Sequence, residues 1–345
     1  MSEPKHIEFV HEPSGARYRA RPVTLDDGPK IAALFEAVFR RPFDLSEWRW
    51  KYVDNPASRV GVSVLVEHEG EVVGHHGAIP APLNYLGQAH ERILVQGGDG
   101  MVLREHRKAS LLTTAWRLSN ELLGDYPEIM VTTGMPNEQM VYPVQHNLVR
   151  TFMMEQWYLA CGSPDHDRLR ATVEAIPEDK RFGLELARDY DPDGDMDELW
   201  KSVARTEALS VAKSATYLDW KYRKRPDRDY QIFALRLYDQ VVALTVAQAL
   251  DDRLLLVEFM SLGKNVHFAH ELLLRVADLA REQGAAGLKF VGKDQWYFER
   301  CFADCARVTD HRHPFFTLAA HERELARIYE NPANWTVTLG DNDDI

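Results

Sequence analysis

The chain has 345 residues, 45% of them apolar and 27% charged, with a formal net charge of -12. That length predicts two domains of roughly 150 residues, each with enough apolar residues for a core. The acidic balance argues against nucleic acid or an anionic membrane as a partner, because both are met by extended basic surfaces. No apolar run of membrane-spanning length occurs and the N-terminus lacks the basic-then-apolar order of a secretory leader, so a cytoplasmic location is expected. Cys161, Cys301 and Cys305 lack companions at metal-ligand spacing and read as buried thiols, so no metal is expected.

In chain order, Tyr18 to Pro22 reads as a first strand, and Thr24, Asp26 and Asp27 give an N-cap signal for a helix through about Phe39. A Trp-rich helical turn follows, Trp48-Arg49-Trp50-Lys51-Tyr52. Strands are expected at Val62 to Glu67 and Val72 to Ile79, joined by the hairpin signal Glu69-Gly70-Glu71, then around Pro82 to Tyr85 and Arg92 to Val102. In the last of these, Gly97, Gly98 and Gly100 mark a bulge or a place where a ligand lies close to the backbone. A basic turn with Arg104, Arg107 and Lys108 then runs into an amphipathic helix. Exposed NH groups and the positive end of a helix attract phosphate there; without a ligand the same residues are simply a basic helix start. Glu128 to Thr133 reads as a buried strand, Pro136-Asn137-Glu138 opens another helix, and Phe152 to Cys161 reads as the closing strand.

The second half repeats the first. Trp50-Lys51-Tyr52 with Pro56 recurs as Trp220-Lys221-Tyr222 with Pro226, and Glu71-Val72-Val73-Gly74 is paralleled by Gln240-Val241-Val242-Ala243. Strands at Gln231 to Leu237, Val241 to Ala249 and Leu254 to Met260, a helix at Val266 to Gln283, a strand at Gly287 to Val291 and a helix at Gln295 to Phe302 complete the copy. Its central turn, Ser261 to His267, lacks the basic cluster, so this copy reads as a scaffold. The expected units are 1–161, a linker 162–197 with one strand-like piece at Phe182 to Leu186, and 198–345, ending in a last strand at Pro314 to Ala319, a short helix and a docked tail at Trp335 to Leu339. Repetition of the Trp-containing element favours core packing for Trp48, Trp50 and Tyr52 over lining of a substrate cleft.

Strand, helix, antiparallel strands, helix, strand, helix, strand, with a glycine-broken strand before a basic turn, resembles the GNAT acyltransferases. In the register of that family's cofactor turn stand Arg107, Lys108, Ala109, Ser110, Leu111 and Leu112; Ser110 substitutes for the first small residue, and Leu112 departs from the second. The repeated Trp-Lys-Tyr element and the tail resemble a group of bacterial tandem-GNAT proteins. The resemblance implies a mixed α/β fold, a mostly antiparallel sheet in each of two tandem copies. It further implies that the first copy transfers an acyl group from acyl-CoA, with acetyl-CoA the expected cosubstrate, to an amine such as an amino sugar or small amine. Main-chain groups of Met101 and Val102 would meet the acyl arm, Arg107, Lys108, Ala109, Ser110 and Leu111 its diphosphate, and Asn137 would lie beside it.

Such a transfer needs a base, an oxyanion site and an acid. Asp99 is the first candidate base, or else a turn-forming carboxylate. His75 and His76 point to opposite faces of their strand, and His76 is the second candidate. Tyr142 is the candidate acid. By analogy with N-myristoyltransferases the carboxylate of Ile345 is a further base, although the acidic tail reads as solvated. A cleft between the copies is the expected place for the acceptor, and the protein is expected as a monomer or homodimer. Two rivals stand beside this reading: an aminoacyl or peptidyl transferase of the peptidoglycan-bridge type, which needs no CoA, and a binding or scaffolding protein without catalysis.

Overall fold

The computed structural model of the protein describes residues 5–88, 92–136, 150–181, 183–293, 296–303, 315–321 and 323–342. A hairpin of β1 (Ile7–His11) and β2 (Ala16–Pro22) leads to α1 (Gly28–Phe39) and α2 (Leu45–Tyr52), and the meander continues through β3 (Val64–His68), β4 (Glu71–Tyr85) and β5 (Ile93–Val102). A 3-10 turn, Arg104–Ala109, enters α3 (Leu111–Leu123), after which β6 (Ile129–Gly134) returns parallel to β5. Alternation along the strands assigns the two faces. Val64 and Val66 pack with Ala115, Leu118 and Leu122 of α3, whereas Leu65 packs with Ile31, Phe35 and Trp48 of α1 and α2.

The two strands expected at Val72 to Ile79 and Pro82 to Tyr85 are one continuous strand, β4. Pro80 and Pro82 interrupt nothing because both lie opposite β5 residues, Val95 and Ile93, with their nitrogens turned to the other edge. On that edge the pairing with β3 has ended at His76, opposite Val64, and β10 (Leu209–Val211) pairs only from Leu83 on, with Ala212 N reaching Pro82 O, so the prolines sit where the edge ladder is interrupted.

The second sheet is a comparable meander. After β7 (Arg150–Met153), β8 (Glu155–Ala160), α4 (Pro164–Glu174), β9 (Leu184–Ala187), α5 (Gly194–Ala204) and β10 come β11 (Gln231–Leu237), β12 (Gln240–Leu250) and β13 (Arg253–Ser261), then α6 (Val266–Glu282) and the parallel strand β14 (Gly287–Lys293). The segment read as a linker is structured: α4 begins at a Ser163 cap that accepts from His166 N, and β9 pairs with β11.

The sheets exchange strands. The segment read as the closing strand of the first copy divides at Met154, so that β7 stays in the first sheet while β8 runs antiparallel along β14 in the second. In return β15 (Phe315–Ala320) inserts between β6 and β7. Each proposed unit, 1–161 and 198–345, thus supplies a strand to the other's sheet. One core spans the junction, including Leu83 and Val131 from one side, Leu199, Val241 and Leu255 from the other, and Met154, Phe316 and Leu318 from the exchanged segments.

At the centre of that core the repeated tryptophans meet. The Trp50 and Trp220 rings stack 5.0 Å apart at 17°. Trp50 Nε1 donates to Trp220 O at 2.7 Å, and Trp220 Nε1 donates to Trp50 O at 2.9 Å. The contact is reciprocal, as a pseudo-twofold relation between copies requires, and it satisfies both buried indole NH groups. It also fills the middle of the junction where an acceptor cleft was expected. Replacing either tryptophan by alanine should cost about 3–5 kcal/mol. In urea denaturation the double variant should lose less than the sum of the single losses, because the two rings are each other's partner.

Candidate functional site

Strands β5 and β6 run side by side only from Ile93 and Ile129 as far as Gln96 and Thr133. Beyond Gln96, β5 keeps its β4 neighbour, and among the described residues nothing pairs with Gly97 to Val102 on the β6 side. The parting coincides with a bulge. Gly77 of β4 faces Gly98, but His75 faces Met101, so β5 carries an extra residue, and Asp99 takes the left-handed conformation at φ 45. A bulge bends and twists its strand, and the glycines around it permit the close approach. Gly77 is required outright, because a side chain there would occupy the position of Tyr52 Oη.

The Asp99 side chain is almost completely buried and fully engaged. Lys51 Nζ lies 3.1 Å from both carboxylate oxygens, and Tyr52 Oη donates to Oδ2 at 2.6 Å. His75 is buried beside them, its Nδ1 hydrogen donated to the Asp99 carbonyl at 2.9 Å. Burial alone would push the Asp99 carboxyl up; the Lys51 charge and the Tyr52 hydroxyl outweigh it and hold the group below its ordinary value. Burial pushes the His75 imidazole down. His76, on the opposite face and partly accessible, is lowered to about 4 by burial and then by its neighbour His75. Its Cε1 sits 3.6 Å from where a Cβ on Gly97 would stand, at the apex of the split.

The other residues singled out in the sequence lie as follows. Met101 and Val102 bury their side chains in the cores under α1 and α3, so they can offer a ligand only their main chain. Arg107 donates from Nε to Val102 O at 3.3 Å, which sets the guanidinium at the strand end, and Arg104 and Lys108 are exposed beside it. Ala109 is buried, and Ser110, at φ 54, precedes Leu111 at the first position of α3 without giving a side-chain cap. The first NH groups of α3 are therefore left for other acceptors. Leu112 lies against the strand, its Cδ2 3.7 Å from a Cβ position on Gly100. Asn137, Tyr142 and Ile345 lie outside the described residues.

Sequence reasoning assigned Tyr52 to packing, gave Lys51 no role, and missed that both hold Asp99. The available signal was that the repeat keeps lysine and tyrosine as well as tryptophan. In the second copy Tyr222 Oη donates to Glu258 Oε1 of β13 at 2.6 Å, the same tyrosine-to-carboxylate bond. Lys213 replaces the lysine of the repeat as the ion partner of Glu258, and Lys221 instead donates to Asn342 O at 2.9 Å.

The second split is filled. Strands β13 and β14 pair only to Leu256 and Phe290. The far edge of β14 is taken by β8 along Gly287 to Gly292, so β16 (Val337–Thr338), which pairs with Gly292 and Lys293, must lie on the β13 side where the strands part. The residues after it fix it there. Thr338 Oγ1 donates to Glu258 Oε2 at 2.7 Å, Asp341 meets Lys213 Nζ at 3.1 Å, and Gly340 nests against Tyr222 Oη. The tail goes on to the first sheet, where Asn342 Oδ1 accepts from Gln96 Nε2 at 3.3 Å.

No family model and no curated protein matches the sequence. Solved structures do match in shape. A protein of Enterococcus faecalis described as a probable N-acyltransferase superposes with a TM-score of 0.66 at 12% identity, over 90% of this chain and 74% of its own. GCN5-related N-acetyltransferases of Anabaena variabilis and Kribbella flavida give TM-scores of 0.62 and 0.60 at 10% and 12% identity, over 89% and 87% of this chain and 73% and 70% of theirs. The fold is thus that of GNAT structures, a mixed α/β arrangement with two mostly antiparallel sheets.

The buried ion pair gives a direct test. Lys51→Met leaves the Asp99 charge without its cation and should cost about 3–5 kcal/mol at neutral pH, part of which Lys51→Met with Asp99→Asn recovers. Because the folded carboxyl lies below its unfolded value, its contribution is present above about pH 4 and is lost as pH falls through the folded value. The advantage of wild type over Asp99→Asn in urea melts should shrink over that acidic range.

Proposed function

We propose that the protein is an acyl-CoA-dependent N-acyltransferase whose first split receives the acyl arm, with acetyl-CoA as donor and a small amine or amino sugar as acceptor. The observation that carries this reading is the parting of β5 from β6 beside a basic turn that opens α3 without a side-chain cap. Main-chain NH groups near Gly100 to Val102 would bind the thioester oxygen and then the oxyanion that forms as the amine attacks. Arg107, Lys108 and the first amides of α3 would take the diphosphate. The carbon–sulfur bond then breaks, and the thiolate leaves with a proton.

Of the two expected bases among the described residues, Asp99 and His76, the geometry favours His76. It is neutral at physiological pH and stands at the apex of the split, whereas both oxygens of Asp99 are committed to Lys51 and Tyr52. Asp99 is then a positioning residue that holds the bulge. Asn137 and Tyr142 keep the roles that the resemblance gives them, beside the arm and as acid. The second copy, with its split filled, serves as a scaffold.

One observation favours the peptidoglycan-bridge type of transferase instead: Leu112 packs against Gly100, where a diphosphate turn calls for a small residue. Calorimetric titration with acetyl-CoA separates the two readings. The proposal predicts one site per chain, weakened at least about tenfold, or 1.4 kcal/mol, by Arg107→Ala; absence of binding at millimolar ligand would favour the CoA-independent reading. In an acetyl-transfer assay against a panel of amines, His76→Gln should lower kcat on the order of a hundredfold. For the wild type the acidic limb of kcat/KM should lie near pH 4, below the ordinary range of histidine.

A further inference from the structure

We propose that His68 and His106 form a binding site for a divalent transition-metal ion of the zinc and copper class, joining the basic turn to the sheet. His68 ends β3 and His106 stands in the Arg104–Ala109 turn, on the face of the first sheet that carries α3. The Nδ1 hydrogen of His68 is donated to Arg17 O at 2.7 Å, which fixes the tautomer and leaves the lone pair on Nε2. His106 Nδ1 lies 2.9 Å from Tyr18 Oη. The hydroxyl accepts from Nδ1 in the tautomer whose Nε2 is free to bind a metal. Metal-bound histidines are oriented in this way, with the second ring nitrogen hydrogen-bonded to a carbonyl or another oxygen.

The spacing suits a shared ion. The ring centres are 5.2 Å apart with the planes at 58°. Two imidazoles bound through Nε2 to one tetrahedral ion, with metal–nitrogen bonds of about 2.0–2.1 Å, have centres about 5 Å apart. Tyr18 steadies both rings, its centre 5.0 Å from His68 and 5.7 Å from His106. Both histidines are partly accessible, so an ion and its waters can reach them, and among the described residues no hydrogen bond uses either Nε2. Among the described residues no group of three or more His, Cys, Asp or Glu is placed to hold a metal. Water would therefore complete the coordination, and affinity should be modest and greater for copper than for zinc. A bound ion would tie the turn, and with it Arg107 and Lys108, to the end of β3.

The test is calorimetric titration of tag-free protein with copper(II) and zinc chlorides, joined by electron paramagnetic resonance of the copper form, and it does not depend on acyl transfer. The site predicts one ion per chain, a micromolar dissociation constant, nitrogen hyperfine coupling, and a loss of at least about tenfold in affinity in both His68→Gln and His106→Gln. Circular dichroism checks that the variants fold; should either fail, the copper spectrum of the wild type still decides between nitrogen and oxygen ligands. Absence of saturable binding at about millimolar metal, affinity unchanged in folded variants, or an oxygen-only copper spectrum would overturn the proposal.

Discussion

A carboxylate taken out of water has to be matched by charge and hydrogen bonds, and the first copy is arranged around that requirement at Asp99. The two groups that meet it, Lys51 and Tyr52, come from α2, while Asp99 comes from the bulge of β5, so one cluster pins a helix to the strand where the sheet opens. Breaking such a pair strands a buried charge, which is why the geometry is held tightly even though the pair itself adds little net stability. The neighbouring residue on α2, Trp50, turns the other way and joins the second copy. A short helical segment thus sets both the local bend of β5 and the relation between the two sheets.

The copies keep the same device and use it differently. In both, a tyrosine of the repeated element bonds a carboxylate on the strand that parts from its parallel neighbour. A bond retained where the split is filled by the chain's own tail serves the strand geometry first, and this supports a positioning role for Asp99 as well. What distinguishes the first copy is the basic turn before α3, together with the edge of Gly97 to Val102 that, among the described residues, nothing pairs with on the β6 side. The exchanged strands β8 and β15 make the sheets mutually dependent, so a scaffold role for the second copy requires no ligand of its own.

Much of this was legible from local pattern. The meander, the hairpin at Glu69 and Gly70, the glycine-marked bulge and the repeat all rest on alternation and turn chemistry that act within a few residues. The partners of β8 and β15 were not legible, since Trp157 and Leu159 alternate identically whichever sheet receives them. Within 162–197, rich in charge and proline, the strand-like piece at Phe182 to Leu186 overlaps β9, but the capped helix α4 was concealed. Lys51 gave no signal of its role because its counter-ion Asp99 lies on another element, and although a docked tail was expected, its partners Glu258 and Lys213 are distant in sequence and were not legible. Composition and periodicity report faces; they do not report which distant group completes a buried charge.

The central proposal is that the first split receives a ligand, whereas its counterpart is closed by the tail. Hydrogen exchange of backbone amides, followed by mass spectrometry with and without acetyl-CoA, measures this in both copies at once. The account predicts new protection across Gly97 to Val102 and the start of α3, with Val257 to Ser261 already slow to exchange and unchanged on adding ligand. Protection that appears in the second copy, or none in the first at saturating ligand, would contradict it.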